Sequence, residues 1–88
     1  MQRWNFESTG PGFDYRLEHA ASELGLHWTR HSLKSQKHNI HWHFRVPGKA
    51  GTLEATWLID TGEAWLSLRA NRQADWAVAA ANMLVKKT

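Results

Sequence analysis

Apolar and polar side chains alternate clearly in residues 38–46, His38-Asn39-Ile40-His41-Trp42-His43-Phe44-Arg45-Val46, from Asn39 onward. Aliphatic and aromatic residues fill every second position: Ile40, Trp42, Phe44 and Val46. The positions between them are polar: Asn39, His41, His43 and Arg45. Because side chains of a β-strand alternate between two faces, this pattern predicts a strand with one buried face and one polar face.

Similar alternation follows on the carboxyl side of this strand. A turn is predicted at Pro47-Gly48-Lys49-Ala50-Gly51, after which Leu53, Ala55, Trp57 and Ile59 alternate with mostly polar residues. Asp60-Thr61-Gly62 has the composition of a hairpin turn, and Glu63–Arg69 returns with Ala64, Leu66 and Leu68 on one side. A further strand is predicted at Leu26–Leu33, before the strand at residues 38–46. The sequence therefore predicts four antiparallel strands.

Helices are predicted on both sides of the strands in sequence. Phe13–Leu24 has apolar residues at helical spacing, and Gly25 stands where a left-handed C-terminal cap belongs. A second helix is predicted from about Arg72 to Val85, with Asn71 as N-cap. The side of this helix predicted to face the sheet is Trp76, Ala79, Ala80 and Met83.

These elements predict an α+β fold of order α-β-β-β-β-α, with a four-stranded antiparallel sheet and both helices packed on one face. With 88 residues and 10.1 kDa, the chain has room for one core, so residues 1–88 are predicted to form a single domain. Trp4 and Phe6 lie before the breaker cluster Ser8-Thr9-Gly10-Pro11-Gly12. This extended start is left outside the predicted sheet.

The layout of a helix, a run of strands and an alanine-rich helix resembles that of double-stranded-RNA-binding domains. The segment that carries the resemblance is Asp75-Trp76-Ala77-Val78-Ala79-Ala80-Ala81-Asn82-Met83-Leu84. In that family a lysine-rich start of the final helix grips phosphates, whereas this chain has Arg72-Gln73-Ala74-Asp75 there. The family also has three strands where four are predicted here.

Composition excludes several classes of function. The chain has no cysteine, which rules out disulfides, cysteine-based metal centres and thiol nucleophiles. Its net charge of +3 is a mild excess. The first residues lack the pattern of a signal peptide, and no apolar run is long enough for a membrane helix. We therefore expect a cytoplasmic protein without a membrane partner.

The unusual feature is the polar face of the predicted sheet. If the helices cover the face that holds Trp42 and Phe44, the other face carries histidines, arginines and an exposed Trp65. Its predicted members are His27, His31, His41, His43, Arg45, Glu54, Leu58, Trp65 and Arg69. An alternative is that the N-terminal segment folds back, so that Trp4 and Phe6 cover part of this face.

From this face we predict a small non-enzymatic binding module. The candidate contact residues are His41, His43, Arg45, Glu54, Leu58, Trp65 and Arg69. The first interpretation is association with a protein partner or with a second copy, since apolar groups ringed by polar ones are typical of small interfaces. The alternative is binding of RNA or single-stranded DNA, in which Trp65 and imidazoles stack on bases and Arg45 and Arg69 contact phosphates.

A third interpretation is a metal site, because His41 and His43 lie two apart on one strand and a hairpin could bring His27 or His31 opposite them. The register of that hairpin is not derivable from the sequence, so no metal ligand or cofactor is assigned. Pairing around Lys49 would place Glu54 across from His43. Such a pair can act in acid–base chemistry, but the sequence has no recognised catalytic motif.

Overall fold

A computed structural model of the chain describes the backbone of residues 1–33, 36–69 and 74–88, with the side chains of the same ranges except 33 and 36–38. Its strands are β1 (Gln2–Asn5), β2 (His27–Leu33), β3 (Gln36–Arg45), β4 (Leu53–Leu58) and β5 (Glu63–Leu68). Its helices are α1 (Phe13–Glu23) and α2 (Asp75–Lys87). The strands form one antiparallel sheet in the order β1-β5-β4-β3-β2.

The predicted α+β class with an antiparallel sheet and two helices is confirmed, but the predicted strand number is wrong. The sheet has five strands, because β1 pairs with β5 from Gln2 opposite Leu68 to Asn5 opposite Trp65. This strand is only four residues long, which is too short to display a convincing alternation. Its partner β5 is distant in sequence, so the pairing is evident only from the three-dimensional structure.

The N-terminal segment packs toward the helices. Trp4 lies opposite Leu66, a fully buried residue of β5, and is itself partly buried against the core. The Phe6 N–H donates a 3.0 Å hydrogen bond to the Ala64 carbonyl, and the Phe6 ring meets the Phe13 ring edge-on at 5.0 Å. The alternative that Trp4 and Phe6 cover the polar face is therefore wrong.

The core lies between one face of the sheet and the two helices. Phe13 and Leu17 of α1 and Leu84 of α2 are fully buried there. Opposite them the sheet contributes Ile40, Trp42, Phe44, Leu53, Ala55, Trp57, Ala64, Leu66 and Leu68. The alternation in β3, β4 and β5 thus sorts the apolar side chains to the helix side, as periodicity predicts.

The first helix ends as predicted. Gly25 has φ 77°, a left-handed conformation that glycine adopts without a Cβ penalty. The Gly25 N–H donates to the Ser22 carbonyl at 3.0 Å, and the Leu26 N–H donates to the Ala21 carbonyl at 3.0 Å. These bonds satisfy carbonyls at the helix end and turn the chain into β2.

The second helix departs from its predicted start and its predicted face. It begins at Asp75, and the predicted N-cap, Asn71, lies outside the described residues. Its buried residues are Ala77, Ala80, Ala81 and Leu84. Of the predicted face only Ala80 is buried; Ala79 is exposed and Met83 is 40% exposed. The Trp76 indole N–H instead donates to the Ala50 carbonyl at 2.7 Å, across the β3–β4 turn.

A polar network joins α1 to the sheet inside this otherwise apolar layer. Glu18 is only 9% exposed and accepts hydrogen bonds from the Trp42 indole N–H at 2.9 Å and from Arg30 at 3.2 Å. Arg30 also pairs with Asp14 at 2.9 Å. Because β2 is an edge strand, Arg30 can face the helix side and remain partly hydrated.

Neither described helix combines the length and the apolar character that a bilayer crossing demands.

Candidate functional site

Polar side chains from each of the five strands lie on the face opposite the helices. Trp42 and Phe44 are fully buried, whereas their neighbours His41 and His43 are half-buried on the other side. We call this side the open face. Its described members are Arg3, Asn5, His27, Thr29, His31, Asn39, His41, His43, Arg45, Glu54, Thr56, Leu58, Glu63, Trp65, Ser67 and Arg69. It includes every predicted contact residue.

Strand register brings Glu54 to the centre of the open face. Glu54 lies directly opposite His43 of β3, as the turn around Lys49 predicts, and opposite Ser67 of β5. His41 lies opposite Thr56. Directly opposed residues on one sheet face are close enough for their side chains to interact.

The Glu54 carboxylate contacts three basic side chains. Its Oε1 lies 3.3 Å from His41 Nε2 and 3.4 Å from His43 Nε2, and its Oε2 lies 3.5 Å from Arg69 Nε. The Glu54 side chain is only 16% exposed, so these contacts are partly shielded from water. We call Glu54, His41, His43 and Arg69 the Glu54 cluster.

The two imidazoles of the Glu54 cluster are held from more than one side. His41 Nδ1 lies 3.0 Å from Thr56 Oγ1, so both ring nitrogens of His41 have a partner. The His41 and His43 rings meet edge-on with centroids 5.0 Å apart, and the His31 ring centroid is 5.4 Å from that of His43. Three imidazoles therefore meet on two adjacent strands.

Burial lowers the pKa of His43 below its usual 6.5, and the nearby His41 lowers it further. Glu54 acts in the opposite direction, since a carboxylate favours the imidazolium form. The net effect is a lowered pKa, which favours the neutral imidazole form of His43.

The apolar members of the open face are less exposed than the sequence indicates. Trp65 and Leu58 are both half-buried. The Arg3 guanidinium lies over the Trp65 ring, 4.1 Å from its centroid, in a cation–π contact. Arg3 is absent from the predicted site because the pairing of β1 with β5 is not visible in the sequence.

Arg45 and His27 lie apart from the Glu54 cluster. They face each other across the paired strands β3 and β2, and both are exposed. A partly open depression lined by His43, Thr52, Glu54 and Arg69 lies at the cluster itself. Thr52, just before β4, was not among the predicted site residues, and no pattern in the sequence points to it.

Comparisons with protein-family models, with curated proteins and with solved structures found no match for this chain. The five-stranded sheet also differs from the three strands expected for a double-stranded-RNA-binding domain. The open face is therefore interpreted from its own chemistry.

Proposed function

We propose that this protein is a small non-enzymatic binding module whose open face contacts a protein partner, a second copy of the chain included. The observation that carries the proposal is the segregation of the two sheet faces. Both helices and the side chain of Trp4 lie on one face, while the other face carries the described histidines of the sheet together with Arg3, Arg45 and Arg69. This leaves a largely polar surface to which all five strands contribute.

The composition of the open face suits protein recognition. Aromatic residues and arginine are enriched at protein interfaces, and Trp65 with Arg3 and Arg69 supplies such a group. The Glu54 cluster is held by its own contacts before any partner binds, so ordering it on association costs little side-chain entropy. A partner therefore meets a preformed pattern of donors and acceptors.

The shape of the site also favours binding over catalysis. The depression beside Glu54 is partly open to solvent and borders the exposed side chain of Arg69. Catalytic electrostatics gain their strength in enclosed sites from which water is excluded. The Glu–His contacts border solvent and are shared with the exposed Arg69, an arrangement that resembles an ion-pair network more closely than an acid–base couple.

Photo-cross-linking tests the proposal on both sides of the molecule. Benzoylphenylalanine is placed at Arg45, which is exposed on the open face, or at Tyr15, which is 72% exposed on α1. We expect protein adducts, in the purified chain or in lysate of the source cells, from position 45 and not from position 15. Adding Arg69→Ala should reduce the position 45 adducts several-fold, whereas Arg16→Ala should leave them unchanged.

Equal adduct yields from positions 45 and 15, or adducts unaffected by Arg69→Ala, would contradict a specific interface on the open face. Both alanine variants must retain the circular dichroism spectrum of the parent chain. Arg16 is the matched control because it is an exposed arginine on the helix side, where it donates a hydrogen bond to the Pro11 carbonyl.

Nucleic-acid binding is the second candidate, favoured by the three arginines of the open face, Arg3, Arg45 and Arg69. Against it stand the central carboxylate of Glu54 and the guanidinium that already occupies the Trp65 ring. The same cross-linking experiment separates the two partners. Adducts that disappear on nuclease treatment would assign the open face to nucleic acid. The affinity of the chain for that nucleic acid should then fall steeply with added salt, because binding releases counterions.

A further inference from the structure

We propose that His41, His43 and Glu54 form a binding site for one divalent transition-metal ion of the Zn²⁺ type, with a further coordination position open to solvent. This site lies within the open face, but the inference does not depend on a partner. One donor atom from each of the three residues can be chosen so that all lie within 4.8 Å of one another.

The distances within the cluster already approach those of a coordination sphere. Donor atoms bound to one tetrahedral Zn²⁺ at about 2.0–2.1 Å are separated from each other by about 3.3–3.4 Å. Glu54 Oε1 lies 3.3 Å from His41 Nε2 and 3.4 Å from His43 Nε2. Two of the three donor–donor distances therefore match those of a tetrahedral site, and the third lies within 4.8 Å. A bound ion would replace the contacts between Glu54 and the two imidazoles once these side chains turn toward it.

The backbone that presents these ligands is rigid. His41 and His43 are two apart on β3 and therefore point to the same side. Glu54 is paired directly with His43 on β4, and both strands are interior strands of the sheet. The fully buried Trp42, between the two histidines, anchors β3 from the opposite face.

Neighbouring polar groups complete the site. A metal-bound histidine commonly donates its other ring N–H to a second group, which fixes the ring orientation. Thr56 Oγ1, 3.0 Å from His41 Nδ1, is placed to accept such a bond. Arg69 holds the Glu54 Oε2 atom at 3.5 Å, which leaves Oε1 directed at the imidazoles.

The donor set selects the class of metal. Two imidazoles and one carboxylate suit Zn²⁺ and similar transition metals, whereas Mg²⁺ and Ca²⁺ prefer all-oxygen sites. Three protein ligands leave a fourth tetrahedral position for water or for a donor group from outside the chain. Such a position would give the open face a directional contact for a carboxylate or an imidazole of a binding partner.

Calorimetric titration of the tag-free chain with ZnCl₂ tests the site, and MgCl₂ serves as the comparison metal. We expect saturable binding of one Zn²⁺ per chain and no comparable binding of Mg²⁺. His43→Ala and Glu54→Ala should each weaken Zn²⁺ binding more than tenfold. His27→Ala is the matched control, an exposed histidine on the same face outside the cluster, and should leave the affinity unchanged.

Thr56 provides a test of the positioning contact. Thr56→Val removes the hydroxyl beside His41 Nδ1 while keeping the β-branched shape, and we expect an affinity loss of about 10-fold to 100-fold. Thr56→Ser restores a hydroxyl and should restore most of the affinity. If the role of Thr56 were purely structural, metal-free Thr56→Val would unfold at a lower temperature than the parent chain. Thr56→Ser would then fail to restore zinc affinity.

Three results would overturn the metal site. The first is the absence of saturable Zn²⁺ binding. The second is binding of several Zn²⁺ ions per chain, with the number falling as each histidine is replaced. The third is an equal loss of Zn²⁺ affinity in His43→Ala and His27→Ala. Retained circular dichroism in every variant separates these outcomes from unfolding. Because the titration uses no partner, its failure leaves the cross-linking test of the open face unaffected.

Discussion

Glu18 shows how one buried carboxylate is made compatible with an apolar layer. Burying a charge is costly unless it is paired and hydrogen-bonded, and Glu18 receives both the Trp42 indole N–H and the Arg30 guanidinium. The same bond satisfies the only polar atom of the Trp42 side chain. By contrast, the indole nitrogen of Trp57 is buried without a hydrogen-bond partner among the described residues. The indole N–H is therefore hydrogen-bonded in Trp42 and unpaired in Trp57.

Phenylalanine substitutions distinguish these two tryptophans. Trp42→Phe loses a hydrogen bond to a charged group, a contribution of about 1.5–3 kcal/mol, in addition to the packing loss that both variants share. Trp57→Phe removes an unpaired N–H and so avoids that loss. Urea unfolding should therefore show a larger drop in the free energy of unfolding for Trp42→Phe. An equal or larger drop for Trp57→Phe would contradict the assigned role of Glu18.

Among the elements, the interior strands are the ones that sequence predicts well. Their alternation from Ile40 to Phe44 sorts side chains correctly because both faces of these strands are defined, one by the core and one by solvent. The compact turn around Lys49 also fixes the register, so the pairing of Glu54 with His43 was predictable. The organisation of the Glu54 cluster follows from that register.

The edge strands and the second helix resist prediction for physical reasons. The short strand β1 is positioned by β5, a partner distant in sequence, and the edge strand β2 carries Arg30 toward the helix side. In α2, alanines are spread around the helix, so periodicity alone does not decide which side faces the sheet. Tertiary packing selects the side with Ala77 and Ala81, both fully buried.

Enlarging single alanines of α2 tests which side faces the sheet. Ala81→Leu inserts three extra carbons into a fully buried position, and overpacking of this kind costs about 1–3 kcal/mol. Ala79→Leu, on the side that the sequence pattern favoured, is exposed and should change stability by less than about 0.5 kcal/mol. Thermal unfolding of both variants measures the contrast. The reverse ranking would place the sequence-predicted face against the sheet.

At the scale of the whole molecule, the N-terminal strand contributes to both layers. Trp4 packs on the helix side beside β5, while Arg3, on the other side of the same strand, lies over Trp65 on the open face. The short strand β1 therefore extends the core and shapes the candidate binding surface at once. Loss of β1 would also leave β5 as an unpaired edge, and exposed edges promote association between sheets.

Alanine substitutions in β1 separate these two contributions. Trp4→Ala removes a partly buried indole and should lower the free energy of unfolding by about 1–3 kcal/mol, with the unfolding midpoint falling by about 4–8 °C per kcal/mol. Arg3→Ala loses an exposed cation–π contact of no more than about 1 kcal/mol and should mainly shift the NMR signals of the Trp65 indole. Gln2→Ala, at an exposed position of the same strand, is the control for both. If Trp4→Ala unfolds at the same temperature as Gln2→Ala, β1 does not contribute to the stability of the core, and the position of Arg3 over Trp65 loses its structural support.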